Sequence, residues 1–145
     1  TGGAVALKVL HGGPDGAAQG VQNDRFGQEA SLLASLSHPA IVKYVDHGIA
    51  PNGESYLAME WLEGETLEER LQRGALTIPK TIALGARVLE ALSVAHRKGI
   101  IHRDIKPSNL FLPNRDLAQV KLLDFGIARR IFDARRMARA GVAVD

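Results

Sequence analysis

Apolar positions recur along this chain with two different periods, and the switches between them mark its elements. Val5-Ala6-Leu7-Lys8-Val9-Leu10 is a short apolar run broken by one lysine, which predicts a strand. Residues 11–22 form a Gly-rich stretch with the composition of a loop. Phe26, Ala30, Leu33 and Leu36 then recur at helical spacing and predict an amphipathic helix over 23–36, ended by Ser37-His38-Pro39. Two strand-like runs follow, Ile41 to Val45 and Ser55 to Glu60, with a Pro51-Asn52-Gly53 turn between them. Thr66-Leu67-Glu68-Glu69 is a capping box that opens a short helix closed by Gly74. A longer helix is predicted from near Pro79 to Lys98, with Ile82, Ala86, Leu89 and Leu92 on one face. Val88, Ala91 and Ala95 make its other face apolar too, so it is expected to be buried rather than to lie on a surface. Ile100-Ile101 and Val120 to Leu123 read as short strands. There is no internal repeat and no low-complexity tract.

Composition narrows the class without naming a chemistry. A chain of 145 residues is long enough for one domain with a core, burying roughly 70% of its unfolded surface. Its 46% apolar and 23% charged content is ordinary for a globular protein. The net charge is 18 − 16 = +2, too small to argue for nucleic acid or a membrane surface. Arg129, Arg130, Arg135, Arg136 and Arg139 crowd the last stretch, where a solvated face is the default reading. Without cysteine there are no disulfides or thiolate metal sites. No apolar run approaches the length of a membrane span, so a soluble, cytoplasmic chain is expected.

The candidate chemistry is concentrated in two motifs. Residues 102–109 read His-Arg-Asp-Ile-Lys-Pro-Ser-Asn, and Asp124-Phe125-Gly126 begins fifteen positions after Asn109. Asp104 is suited to accept a hydroxyl proton, Lys106 to neutralise a moving phosphoryl group, and Asn109 and Asp124 to hold Mg²⁺ through hard oxygens. A merely polar turn after a helix would account for His102-Arg103-Asp104, but not for Lys106, Pro107 and Asn109 as well. Taken alone, Lys8 reads equally as an exposed lysine on an edge strand or as a cation for phosphates. Glu29 alone reads as a solvated glutamate on a helix face, and Ala6, Met59, Leu62 and Phe111 as core residues.

Together these residues resemble the signature of the eukaryotic-like, or Hanks-type, serine/threonine protein kinases of bacteria. The similarity rests on Val5-Ala6-Leu7-Lys8, the 102–109 motif and Asp124-Phe125-Gly126, in that order. It implies an α+β, two-lobed fold, here in part: about 1–59 from the N-lobe, 60–65 as hinge and 66–145 from the C-lobe. By resemblance, Gln28-Glu29 and Leu32-Leu33 followed by His38-Pro39 make Glu29 the partner of Lys8. Met59-Glu60-Trp61-Leu62 would join the lobes, with Met59 as gatekeeper. Backbone groups of Glu60 and Leu62 would meet the adenine edge, and Ala6 and Phe111 would sandwich its ring. Leu33, Tyr44, His102 and Phe125 match the apolar column that joins the lobes of active kinases, and Gly126 would let the backbone turn. Lys106 points to serine/threonine rather than tyrosine kinases.

The resemblance therefore implies ATP and Mg²⁺ as cofactors and a protein with a Ser or Thr acceptor as partner. Arg103 implies an activation-loop phosphate, although residues 127–145 contain no Ser, Thr or Tyr. A Gly-rich phosphate loop is expected before Val5 and an Ala-Pro-Glu segment after Asp145. Residues 1–145 alone are accordingly expected to be inactive and marginally stable. Two other readings compete. A nucleotide-binding pseudokinase or scaffold is opposed by the presence of Lys8, Glu29, Asp104, Asn109 and Asp124 together. A small-molecule kinase is opposed by Lys106-Pro107.

Overall fold

The computed structural model describes residues 3–10 and 19–125. In chain order these form β1 (Val5–Leu10), α1 (Gln19–Ala34), β2 (Tyr44–Ile49), β3 (Ser55–Glu60), β4 (Gly64–Thr66), α2 (Leu67–Leu71), α3 (Ile78–Arg97), β5 (Leu110–Pro113) and β6 (Lys121–Leu122). Single 3₁₀ turns lie at Pro107–Asn109 and Leu117–Gln119. Residues 11–18, Gly126 and the Arg-rich stretch fall outside the described residues.

Two three-stranded antiparallel sheets result, ordered β1-β3-β2 and β4-β5-β6. The β2–β3 turn needs Gly53 at φ 84°, and Ala50 N–H donates to Glu54 O at 2.8 Å across its mouth. In the second sheet Gly64 pairs with Pro113, and a Cβ at Gly64 would collide with the Leu112 carbonyl. Close backbone approach thus dictates glycine there. The sheets meet where Ile41 forms a parallel bridge with Leu122. Val42 N–H donates to Leu122 O at 3.0 Å, and Leu122 N–H to Ala40 O at 2.9 Å.

One core runs through both halves. Phe26, Ala30 and Leu33 of α1 are buried, and the Phe26 ring meets His47 of β2 edge-on at 6.3 Å. Leu84, Val88, Ala91 and Ala95 of α3 join Leu110, Leu112, Val120 and Leu122, and Leu112 and Leu122 lose all solvent contact. The α2 capping box forms as the sequence predicts. Glu69 N–H donates to Thr66 Oγ1 at 3.2 Å, and Thr66 N–H to Glu69 Oε2 at 2.8 Å.

Elsewhere the sequence reading needs correction. Helix α1 starts at Gln19, inside the stretch read as loop. Gly20 costs a helix only about 1 kcal/mol relative to alanine, and extension from a packed turn is favourable. Strand β2 starts at Tyr44 rather than Ile41, because Ala40 to Val42 bond to Leu122 instead. Ile100-Ile101 is no strand. With Gly99 at φ 71°, Ile100 N–H turns back to Ala95 O at 3.0 Å and closes α3. Strands β4 and β5 were not foreseen. Their three and four residues are too short for a period to show. Helix α3 is buried along Leu84, Val88, Ala91 and Ala95 only. Ile78, Ile82 and Leu89 stay 76%, 67% and 67% exposed, so one of the two apolar sides is packed and the other is left as an exposed apolar face among the described residues.

Candidate active site

The segment leaving α3 is held by a buried imidazole. His102 is 1% exposed, and its two ring nitrogens face different partners. Nε2 lies 2.6 Å from Leu123 O, which can only accept, while Asp104 N–H donates to Nδ1 at 3.3 Å. The neutral tautomer with its proton on Nε2 satisfies both contacts. Burial pushes the ring below its ordinary value of 6.5, against the opposing pull of the Leu123 carbonyl and of the Asp104 and Asp124 charges.

A group that folds neutral while its unfolded counterpart takes up a proton costs stability as pH falls. The melting temperature should therefore be level above about pH 7 and decline below 6.5 as the unfolded chain protonates. Thermal unfolding followed from pH 8 to 5 checks this against a His102→Gln variant, whose decline over that window should be shallower. Equal slopes would remove His102 as the cause.

Asp104 sits just beyond Arg103, whose backbone is left-handed at φ 65°. Asn109 Nδ2 donates to Asp104 O at 2.8 Å and to Oδ2 at 3.0 Å. Lys106 Nζ approaches the same Oδ2 at 3.0 Å. The 3₁₀ turn closes this loop through Asn109 N–H to Lys106 O at 2.9 Å. Asp104, Lys106 and Asn109 are thus brought together, with one carboxylate edge held by two donors.

The second motif is bonded to the first through Leu123. Its N–H donates to Asn109 O at 2.9 Å, and its carbonyl meets His102. Asp124 follows at φ 52° and turns its carboxylate towards Lys8, whose Nζ donates to Oδ1 at 2.7 Å. The expected Lys8–Glu29 pair is not formed. Lys8 reaches across from β1 to Asp124, and Glu29 on α1 is not among its ion-pair partners. Phe125 is buried with its ring 4.7 Å from His102, and Leu33 and Tyr44 are buried as well. Burial and then the Asp124 charge push the Tyr44 hydroxyl well up, although a hydrogen bond to the Phe125 backbone opposes them.

Among the described residues no group of three or more His, Cys, Asp or Glu converges. A divalent cation here would rest on the Asn109 and Asp124 oxygens, completed by phosphate and water. That donor set suits Mg²⁺, which commonly takes one or two carboxylates and keeps several waters.

Ala6, Met59, Glu60, Leu62 and Phe111 are all partly buried. Ala6 pairs with Met59 across β1 and β3, and Phe111 with Lys121 across β5 and β6. The sequence reading used only the backbone of Glu60, yet its side chain is engaged too. Glu60 Oε1 accepts from Lys43 N–H at 2.8 Å and from Lys121 Nζ at 2.7 Å. Burial pushes this carboxyl up, but the Lys121 hydrogen bond and the Lys43 amide outweigh it and hold the group below its ordinary value. No periodicity signals such a pair, since its members lie 61 positions apart.

Comparison with known proteins identifies the family. Residues 1–142 match the family model described as protein kinase domain. The serine/threonine-protein kinase pkn2 of Myxococcus xanthus is 43% identical over 128 residues, 88% of this chain and 15% of that protein. PknB of Mycobacterium tuberculosis is 40% identical over 144 residues, 97% of this chain and 22% of that protein. Among solved structures, a Mycobacterium tuberculosis PknI kinase domain superposes with TM-score 0.71 at 31% identity, covering 97% of this chain and 55% of its own. The chain therefore spans less than a quarter of these curated relatives and about half of that solved kinase domain.

Proposed function

Because the chain belongs to the protein kinase family, we propose that it carries the catalytic centre of an ATP-dependent protein serine/threonine kinase. The observation that supports this most is the bonded unit His102–Leu123–Asn109–Asp104, with Asp124 and Lys8 meeting at its edge. It gathers a carboxylate, two lysines and two hard oxygen ligands at the joint of two sheets. In this reading Asp104 orients the acceptor hydroxyl and takes its proton late in transfer. Lys106, already beside Asp104, neutralises the departing phosphoryl group. Lys8 contacts the α- and β-phosphates, with Glu29 as its supporting carboxylate. Asn109 and Asp124 would hold Mg²⁺, which supplies charge neutralisation along the phosphates. Ala6 and Phe111 flank the adenine ring, with backbone groups of Glu60 and Leu62 on its edge beside Met59. Among the described residues no helix is long and apolar enough to cross a membrane, and we place the activity in the cytoplasm, where ATP is supplied.

The test is transfer of labelled γ-phosphate from Mg-ATP by the full-length protein to a generic basic protein, followed by phosphoamino-acid analysis. Phosphoserine or phosphothreonine is the expected product. Nucleotide binding without any transfer would favour a scaffold, and neither binding nor transfer would overturn the reading altogether.

A further inference from the structure

The proposed nucleotide site straddles the two sheets. Ala6 and the residues from Met59 to Leu62 belong to β1, β3 and the chain after Glu60, whereas Phe111 lies on β5 and Asp124 follows β6 two positions beyond its end. A nucleotide spanning both sheets is held only if their spacing is kept. The Ile41–Leu122 bridge provides one tie between the sheets. A second tie is ionic. Glu60 is the last residue of β3 and Lys121 the first of β6, and the 2.7 Å contact between them is partly shielded, with side chains 29% and 20% exposed. The same Glu60 oxygen accepts the Lys43 N–H, while Glu60 N–H donates to Lys43 O at 2.9 Å. Lys43 directly follows Val42, whose N–H makes one of the two bridge bonds. Ionic and backbone ties therefore form one continuous joint.

We propose that the Glu60–Lys121 ion pair is a positioning device that keeps the two sheets that form the cleft in register. Its role rests on the nucleotide-binding reading given above. Neither side chain needs to touch the nucleotide. A ligand that bridges both sheets gains from a preset spacing, because less freedom is lost on binding.

The experiment titrates Mg-ATP by calorimetry into the full-length protein, its Lys121→Met variant and its Lys121→Arg variant. Methionine keeps much of the apolar stem and removes the charge, while arginine keeps a charge of similar reach. The methionine variant should bind Mg-ATP roughly fivefold more weakly, the scale of a partly exposed ion pair. The arginine variant should recover most of that affinity. Hydrogen exchange at the Val42 and Leu122 amides should quicken in the methionine variant alone. Unchanged Mg-ATP affinity in the methionine variant, an arginine variant as weak as the methionine one, or exchange at the bridge indifferent to the substitution would each overturn the proposal. If the unsubstituted protein does not bind Mg-ATP, the nucleotide reading fails and this role with it. Faster bridge exchange in that case would still identify Lys121 as a tie between the sheets.

Discussion

Replacing Asp104 with asparagine should lower phosphoryl transfer by about 10²- to 10⁴-fold, the range for loss of a positioned general base, while Mg-ATP affinity stays within about threefold. The substitution is nearly isosteric and leaves the Asn109 Nδ2 bond to the backbone carbonyl of residue 104 untouched. The His102 bond to Leu123 is likewise independent of the side chain. What disappears is the charge facing Lys106 and the basicity needed to take a hydroxyl proton. In the proposed mechanism those groups act at the transferring phosphoryl and not at the adenine, so binding and turnover should separate. Single-turnover transfer measured beside calorimetry distinguishes them. Wild-type turnover in the asparagine variant would remove Asp104 from the mechanism, whereas parallel loss of binding and turnover would make it a structural residue.

Asp124→Asn should act on the opposite side of that division. Asparagine tolerates the left-handed backbone that Asp124 adopts at φ 52°, so the turn survives the change. Two things are lost together: the anionic oxygen proposed to hold the metal and the partner of Lys8 at 2.7 Å. Loss of groups that merely support metal ligands costs about 10- to 100-fold in metal affinity, so loss of a ligand charge should reach at least the upper end. The expected result is Mg-ATP affinity weakened by about 100-fold or more, with little remaining response to added magnesium. Titrating the unsubstituted protein after chelation of divalent cations should reproduce that weak binding. An Asp124→Asn protein with undiminished magnesium dependence would place the metal elsewhere.

How much of this was legible beforehand depends on the range of the interactions involved. The 102–109 motif could be read because Asp104, Lys106 and Asn109 meet within one turn, where spacing along the chain nearly fixes spacing in space. Strands β1 and β3 and the Thr66 capping box were legible for the same local reason. The choice of Asp124 over Glu29 as the partner of Lys8 was not, since it turns on how a strand, a helix and a loop approach one another. Nor was the burial of α3 along Leu84 and Val88 rather than Ile82 and Leu89. A helix with apolar residues on two faces leaves open which face meets the core. Ile41 carries the same lesson. Its β-branched neighbourhood suggests a strand, and the residue spends that tendency on a single bridge to Leu122.

Arg103 and Asp124 both hold a left-handed backbone without being glycine, at φ 65° and 52°. Such residues carry roughly 1–2 kcal/mol of strain each. Glycine at residue 103 would remove the clash of Cβ with its own backbone, but with it the whole Arg103 side chain and its interactions. Glycine would also free that backbone to wander, one residue before Asp104. The left-handed turn at Arg103 therefore trades a local strain for a fixed approach to Asp104, the carboxylate proposed to orient the acceptor hydroxyl.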